Sequence, residues 1–253
     1  MLNVIVLAAG KGTRMKSDLP KVAHPICGVP MVEQVLRVLD RLNPKPSSIY
    51  TVVGHQKTVV IDILKHRPNV TFVEQTEQKG TGHAVLQVKP FLSQTEGDSL
   101  VVCGDTPLIS TDTLSTLITT HHHEGAVGTV LTTLLDDPSG YGRVVRNADG
   151  SVAAIVEHKD ATPEILKIDE INSGFYIFNT QKLFWALDQV TPANAQGEYY
   201  LPDVFKIFRE HSMKVAAVIT KNCNEVLGIN TVEHLQAAER LMPAQPPQSR
   251  PQP

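Results

Sequence analysis

The sequence predicts an α/β protein with a mixed, mostly parallel central sheet, helices on both faces and a β-rich insertion. Three observations predict it. Continuous apolar runs, such as the opening MLNVIVLAA and SLVVC ending at Cys103, read as strands buried on both faces. They alternate with segments whose apolar residues recur at helical spacing, the rhythm of strand–helix–strand units. From about Asp136 to Ile177 that rhythm changes: GRVVRNADGSVAAIVEH alternates apolar and polar residues about Asp149-Gly150, as a hairpin does.

The elements follow in order. A first strand is expected over about Asn3 to Ala8, then a helix from Met31 to Leu42 with Val32, Val35, Leu36 and Leu39 on one face. A strand near Ile49 to Val53, a helix near Thr58 to His66 and a strand at Val70 to Val73 come next. A helix from about Gly82 to Leu92 precedes SLVVC, and a helix from Thr111 to His123 precedes the strand AVGTVLTTL. After the hairpin, the strand INSGFYIFN, a helix from Gln181, the helix LPDVFKIFREH and the strand KVAAVIT complete the pattern. The Pro-rich AQPPQSRPQP has nothing to pack and reads as a disordered tail.

Composition narrows the function. With 253 residues, 42% apolar and 19% charged, the chain can bury a sizeable core. A net charge of −3 provides no overall basic field for nucleic acid or an anionic membrane, so any anion site must be local. Cys27, Cys103 and Cys223 are scattered, with no CxxC, which argues against a disulfide framework or a zinc site and for a reducing cytoplasm. The first apolar run lacks a basic lead, is too short to cross a bilayer and is followed by charge, so it reads as a buried strand.

The loop LAAGKGTRM (7–15) fails two nucleotide templates. After Gly10 and Gly12 comes Met15, so the third glycine of the dinucleotide fingerprint is missing, and Thr13 stands where the P-loop pattern needs lysine. What remains is a strand feeding a glycine loop whose N–H groups can approach a phosphate, with Lys11, Arg14 and, beyond Pro20, Lys21 adding positive charge. The bland reading is a βα loop with solvated basic residues.

Later segments favour the phosphate. Gly80-Thr81-Gly82 precedes a helix, where unpaired N–H groups attract an anion, although Thr81 could simply cap it. Gln75 at a strand end carries a donor and an acceptor suited to a base edge such as uracil, while His83 reads as a packed or capping histidine. Asp105 follows SLVVC at the carboxyl end of a strand, where open α/β sheets bind ligands. A carboxylate facing a triphosphate needs a bridging cation, which implies Mg²⁺, with Asn230 at another strand end as a candidate second oxygen ligand; the plain alternative is an Asp that starts a turn. In the insertion, Gly140 and Gly142 flank Tyr141, and Glu157 and Asn172 could bond hexose hydroxyls. His121-His122-His123 reads as a solvated helix end, and Cys27 and Cys103 as inert core thiols.

Taken together, LAAGKGTRM with LPK (19–21), QTEQKGTGHA, CGDTPLI, DPSGYGR, IVEHKDA, EINSG, NAQGEYYLPD and VLGIN, in this order, resemble the sugar-1-phosphate nucleotidylyltransferases. Within them the blocks are similar to the uridylyltransferase (pyrophosphorylase) half of the bacterial bifunctional N-acetylglucosamine-1-phosphate uridylyltransferase/glucosamine-1-phosphate N-acetyltransferases, over about residues 2–235. The resemblance implies a Rossmann-like nucleotide-diphospho-sugar transferase fold. It would be one domain over 1–235 with a sugar-binding insertion at about 136–177, followed by a helix end and the tail over 236–253.

The implied reaction is UTP plus N-acetylglucosamine 1-phosphate giving UDP-N-acetylglucosamine and pyrophosphate, a cytoplasmic step toward peptidoglycan and lipopolysaccharide precursors, with no nucleic acid or membrane partner. Carried over by position, Leu7, Ala8, Ala9 and Gly10 would hold the uridine and first phosphates, and Gln75, Gly80 and Thr81 would read uracil and ribose. Arg14 and Lys21 would neutralise the triphosphate and the departing pyrophosphate, Asp105 and Asn230 would hold Mg²⁺, and Tyr141, Gly142, Glu157 and Asn172 would contact the sugar. The bifunctional family continues into a trimerising β-helix of hexapeptide repeats. This chain has none, so no acetyltransferase activity is expected and the oligomeric state stays open. The competing readings are a relative with another sugar phosphate or nucleotide, a nucleotide-sugar binding protein without catalysis, and an NAD enzyme lacking its third glycine.

Overall fold

A computed structural model of the chain describes residues 1–10, 12–15 and 17–242, apart from the side chain of Thr13. Lys11 and the Pro-rich segment 243–253, for which expectations were stated above, lie outside the described residues.

Strand β1 (Leu2–Ala8) opens the chain, and the short antiparallel pair β2 (Pro25–Ile26) and β3 (Val29–Pro30) leads into helix α1 (Met31–Leu39). The helix ends at Leu39 rather than Leu42 because the last turn tightens, with Arg41 N donating to Val38 O and Leu42 N to Leu39 O. Leu42 stays buried. Strand β4 (Ser48–Val53), helix α2 (Lys57–Leu64) and strand β5 (Val70–Glu74) follow. The single helix expected over 82–92 is two, α3 (Thr81–Leu86) and α4 (Lys89–Leu92). Pro90 explains the break: it has no N–H to give to Leu86.

Strand β6 (Asp98–Cys103) and helix α5 (Thr111–Glu124) come next, the helix capped by Ser110 Oγ, which accepts from Thr113 N at 3.1 Å. Strand β7 (Gly128–Leu134) precedes the hairpin β8 (Arg143–Arg146) and β9 (Val152–Val156), which turns through Gly150 at φ +81°. Strand β10 (Glu170–Asn179), helices α6 (Thr180–Leu187) and α7 (Asp203–Glu210), strand β11 (Val215–Ile219) and helix α8 (Val232–Leu241) finish the fold.

The nine-stranded sheet has the order β11-β7-β10-β6-β1-β4-β5, with β8 joined to β10 and β9 to β8. Its pairs are parallel except around β10, which runs antiparallel to β6, β7 and β8, and between β8 and β9. Strand β10 thus begins inside the stretch 136–177 and runs through the middle of the sheet. Its register against β7 shifts between Asn172 and Tyr176, a bulge that redirects the chain beside the site described below.

Both faces are covered, as the apolar runs require. Val4, Val6 and Ala8 of β1 point into a core with Leu36, Leu39, Leu64 and Leu117, whereas Ile5 joins Val85, Phe184 and Phe205 on the other face. A Cβ on Gly128 would stand 3.0 Å from the Phe178 ring and 3.1 Å from that of Phe208, so glycine lets the aromatic layer close here without the rings giving way. Among the described residues no helix is long and apolar enough to cross a membrane.

Candidate functional site

The carboxyl ends of β1 and β6 meet at one edge of the sheet, and the loops leaving them build the site. After β1 the chain turns at Gly12, with φ +62°. A Cβ there would lie 2.5 Å from Cβ of Lys21, so glycine lets the loop fold onto the turn Lys21–Ala23. The result is a cavity of about 290 Å³. Leu7, Ala8, Ala9 and Gly10 line one side of it and Gln75, Gly80 and Thr81 the other, with Lys21 and Asp105 at its edge.

A second cavity, of about 200 Å³, takes in Tyr141, Gly142, Glu157 and Asn172. The two share Leu7, Thr81 and Cys103, so a ligand in one abuts a ligand in the other. At Gly142 a Cβ would lie 3.2 Å from Glu157 Oε1, so a side chain there would press on that carboxylate. Its carbonyl accepts from Asn172 N at 2.9 Å, and Asn172 Oδ1 accepts from Gly174 N at 3.2 Å, which ties the hairpin to the β10 bulge. Buried Arg143 donates to the Tyr141 carbonyl and so holds that loop. Burial, and then the negative charges of Asp203, Asp160 and Glu198, lift the Glu157 carboxyl to about 6. The Tyr141 phenol is likewise raised, by burial first and then by Asp105.

Charge gathers at the edge of the first cavity, near enough to Tyr141 of the second for Asp105 and Arg14 to act on its phenol. Lys21 is ion-paired with Asp105 Oδ2 and donates to Asn230 Oδ1 at 2.9 Å, and Arg14 Nη2 donates to the same oxygen at 2.9 Å. Asn230 is held by Nδ2 donating to Gly228 O, and its strand-like approach is pinned by Ile229 N donating to Asp105 O at 3.0 Å. Two hard oxygens from distant segments therefore converge on a single cation, here the lysine ammonium. Such a pair suits a hard divalent ion that completes its shell from water and phosphate. Among the described residues there is no group of three or more His, Cys, Asp or Glu that could form a closed protein cage for a metal.

Some residues behave differently from expectation. Thr81 is the first helical residue rather than a side-chain cap, and its Oγ1 accepts from Leu201 N at 3.0 Å. His121 is not on a solvated face: it is 2% exposed, with Nδ1 2.9 Å from Thr129 Oγ1, because its helix turns that position onto β7. His122 and His123 are exposed. Cys27 is no core thiol but sits exposed in the tight β2–β3 turn at φ +48°. Cys103 is half-buried and forms the wall between the two cavities, and burial followed by the charge of Asp105 pushes its thiol up to about 12.

Sequence reasoning missed Cys103 as a wall, along with Gln78 and Glu198 in the first cavity and Tyr176, Leu201 and Pro202 in the second. The place of Cys103 just ahead of Gly104-Asp105 was a usable signal. Glu198 comes near through backbone pairing, with Tyr199 N donating to Lys79 O and Gly82 N to Tyr199 O, both at 2.8 Å. The NAQGEYYLPD block was its only mark in the sequence.

Comparison with known proteins extends this geometry. The chain is 48% identical over 238 residues to the bifunctional protein GlmU of Streptococcus uberis, covering 94% of this chain and 51% of that protein. It is 50% identical over 238 residues to the bifunctional protein GlmU of Listeria monocytogenes, with the same shares covered. The chain thus spans about half the length of these relatives. Among solved structures, a Bacillus anthracis chain provisionally named a glucose-1-phosphate thymidylyltransferase, in complex with a sucrose, superposes with a TM-score of 0.76 over 95% of each chain. At 20% identity, that likeness speaks for the fold alone. The nucleotidyl transferase family model matches residues 3–240, nearly the whole described chain, and the protein belongs to that family.

Proposed function

We propose that the protein is a uridylyltransferase joining UTP and N-acetyl-α-D-glucosamine 1-phosphate into UDP-N-acetylglucosamine, with release of pyrophosphate. The observation that carries this reading is the shared wall of Leu7, Thr81 and Cys103 between two cavities, with Lys21 and Asp105 lining the first and joined through Asn230 to Arg14. A nucleotide in the first cavity and a sugar phosphate in the second would bring their phosphates together at that cluster.

The chemistry follows from charge. The oxygens of a sugar 1-phosphate are largely ionised at neutral pH, so attack on the α-phosphorus needs no general base. The protein's tasks are to hold the two phosphates in line and to stabilise the charge that moves onto the leaving group. Backbone N–H groups of Ala9 and Gly10 would take the first phosphates, and Arg14 and Lys21 the outer ones. Held by the Asp105 carboxylate and the Asn230 amide oxygen, Mg²⁺ would supply the remaining neutralisation of the triphosphate and of departing pyrophosphate. Glu157 and Asn172 would accept from and donate to sugar hydroxyls. The substrates are cytoplasmic metabolites, and the three cysteines are unpaired, in keeping with that compartment.

The test is pyrophosphate release with Mg²⁺ across a matrix of nucleoside triphosphates and sugar 1-phosphates. Release should be greatest with UTP and N-acetylglucosamine 1-phosphate. No release with any pair would overturn the enzymatic reading in favour of a binding protein. Release with glucose 1-phosphate far above its N-acetylamino counterpart would overturn the sugar assignment.

A further inference from the structure

We propose that His83 is a positioning residue that sets nucleobase selectivity by holding the Gln75 amide with its oxygen toward the nucleotide. This rests on the uridylyl reading above and deepens it. Gln75 is 3% exposed at the end of β5 and lines the first cavity. Its Nε2 donates to Gly80 O at 3.1 Å and meets His83 Nδ1 at 3.0 Å.

A primary amide nitrogen has two hydrogens, and these contacts use both. The Gly80 carbonyl can only accept, and that single bond at 3.1 Å biases the amide without fixing which end faces inward. His83 reinforces that choice as long as Nδ1 is the unprotonated ring nitrogen. Among the described residues nothing donates to Gln75 Oε1 and nothing accepts from the Gly80 N–H. An acceptor and a neighbouring donor are thereby left for a ligand. Uracil offers N3–H and O4, the complement of that pair. Cytosine offers a lone pair and an amino group in the same two places, which would set acceptor against acceptor and donor against donor.

His83 is itself contested. Its Nε2 lies 3.2 Å from Gln87 Nε2, and a neutral imidazole has a single acceptor nitrogen. Gln87, half-buried at the end of its helix, also donates from Nε2 to His83 O at 3.0 Å, and turning its amide to offer an oxygen to Nε2–H gives up that one bond. Gln75, buried between Gly80 and the ring, cannot turn without abandoning both partners. The tautomer that satisfies Gln75 is therefore the one the site imposes.

The experiment compares kcat/KM for UTP and CTP, and their binding by calorimetry, in the wild type and in the variants His83→Leu, His83→Gln and His83→Asn. The oxygen of Asn can take the place of Nδ1, whereas Gln reaches only the place of Nε2. The UTP-over-CTP ratio should fall about tenfold or more in the Leu and Gln variants and be restored in the Asn variant, with KM for the sugar phosphate unchanged. Equal losses for the two nucleotides, or an unchanged ratio, would assign His83 a packing role and overturn the proposal. Should the Leu variant fail to fold, the Gln and Asn variants decide by the same ratio. A wild type that prefers another base overturns the uridylyl reading. The same pattern, altered by Leu and Gln and restored by Asn, would then still support His83 as the residue that orients Gln75.

Discussion

The Lys21 ammonium bridges Asp105 Oδ2 and Asn230 Oδ1, so the cation proposed to meet phosphate lies against the two oxygens proposed to hold a metal. When substrate enters, lysine can turn to the phosphates and leave those oxygens to a divalent cation. Asp105→Ala should then lower pyrophosphate release by on the order of 100-fold or more, because a carboxylate that neutralises charge in the transition state is lost. The fold should lose roughly 1–3 kcal/mol, since the paired side chains are only 17% and 18% exposed and Lys21 keeps Asn230 Oδ1 as a partner. Initial rates with a thermal melt of the same preparation check both halves. Near-normal turnover in a folded variant would show that Asp105 holds no metal.

Glu157 should separate stability from substrate binding. Burial, and the neighbouring acids after it, raise its carboxyl from 4.5 to about 6, so the native state favours the protonated form. A raised folded value contributes stability that is present below about 4.5 and lost as pH climbs through about 6. Glu157→Gln should therefore match the wild type in stability near pH 4.5 and exceed it above pH 6, by on the order of 2 kcal/mol. Meanwhile KM for the sugar 1-phosphate should rise several-fold, because the carboxylate acceptor for hydroxyls is gone. Melting curves and KM across pH give the answer. A variant less stable than wild type at pH 8 would contradict the assignment.

Much of this was legible from the sequence, for identifiable reasons. Strands buried on both faces leave unbroken apolar runs, so β1 and β6 stood out, and Asp105 could be set at the end of the second. Glycine and cations after β1 marked the loop whose residues Leu7 to Gly10 line the first cavity. Contacts made across the chain left weaker marks. Glu198 reaches the cavity only through the Tyr199–Lys79 pairing, and the buried His121 lies on a Thr- and His-rich helix whose apolar stripe is narrow. The split at Pro90 could have been anticipated from the proline alone. Cys103 was read as packing because its strand is apolar. Its second face, toward both cavities, depends on how β10 bulges past it, with Cys103 Sγ 3.5 Å from Gly174 O.

That burial gives the cysteines distinct reactivities. The Cys103 thiol, pushed from 9.0 up to about 12, holds about a thousandfold less thiolate than an ordinary cysteine, and the thiolate is the reactive form. Cys27 lies exposed in its turn. Iodoacetamide at pH 8 should therefore modify Cys27 within minutes while Cys103 stays unmodified until the protein is unfolded in urea. Peptide mass mapping over time resolves the two sites. Labelling of Cys103 at the rate of Cys27 in the folded protein would mean that the wall between the cavities is open.

Far from the site, Glu33 joins α1 to the loop after α2. Its two oxygens accept from Arg67 Nη2 at 2.7 Å and Nε at 2.8 Å, and Arg37 Nε adds a third bond at 3.1 Å. Arg67 also donates to Asp40 at 2.7 Å. Burial on its own would raise the Glu33 carboxyl, but the hydrogen bonds and charges of Arg67 and Arg37 outweigh it and hold the group below its ordinary 4.5. Because the folded value is depressed, the associated stability is present above 4.5 and drains away as pH falls through the folded value. Replacing Glu33 with alanine leaves a guanidinium that is only 10% exposed with Asp40 as its one carboxylate partner, and should cost roughly 1–3 kcal/mol at pH 7. Turnover per folded molecule should not change, because none of these residues reaches either cavity. Urea melts of Glu33→Ala and wild type at pH 7 and pH 3.5 should show a gap that narrows with acid. A gap equally wide at both would mean that Glu33 acts by packing alone and that its charge does not hold Arg67.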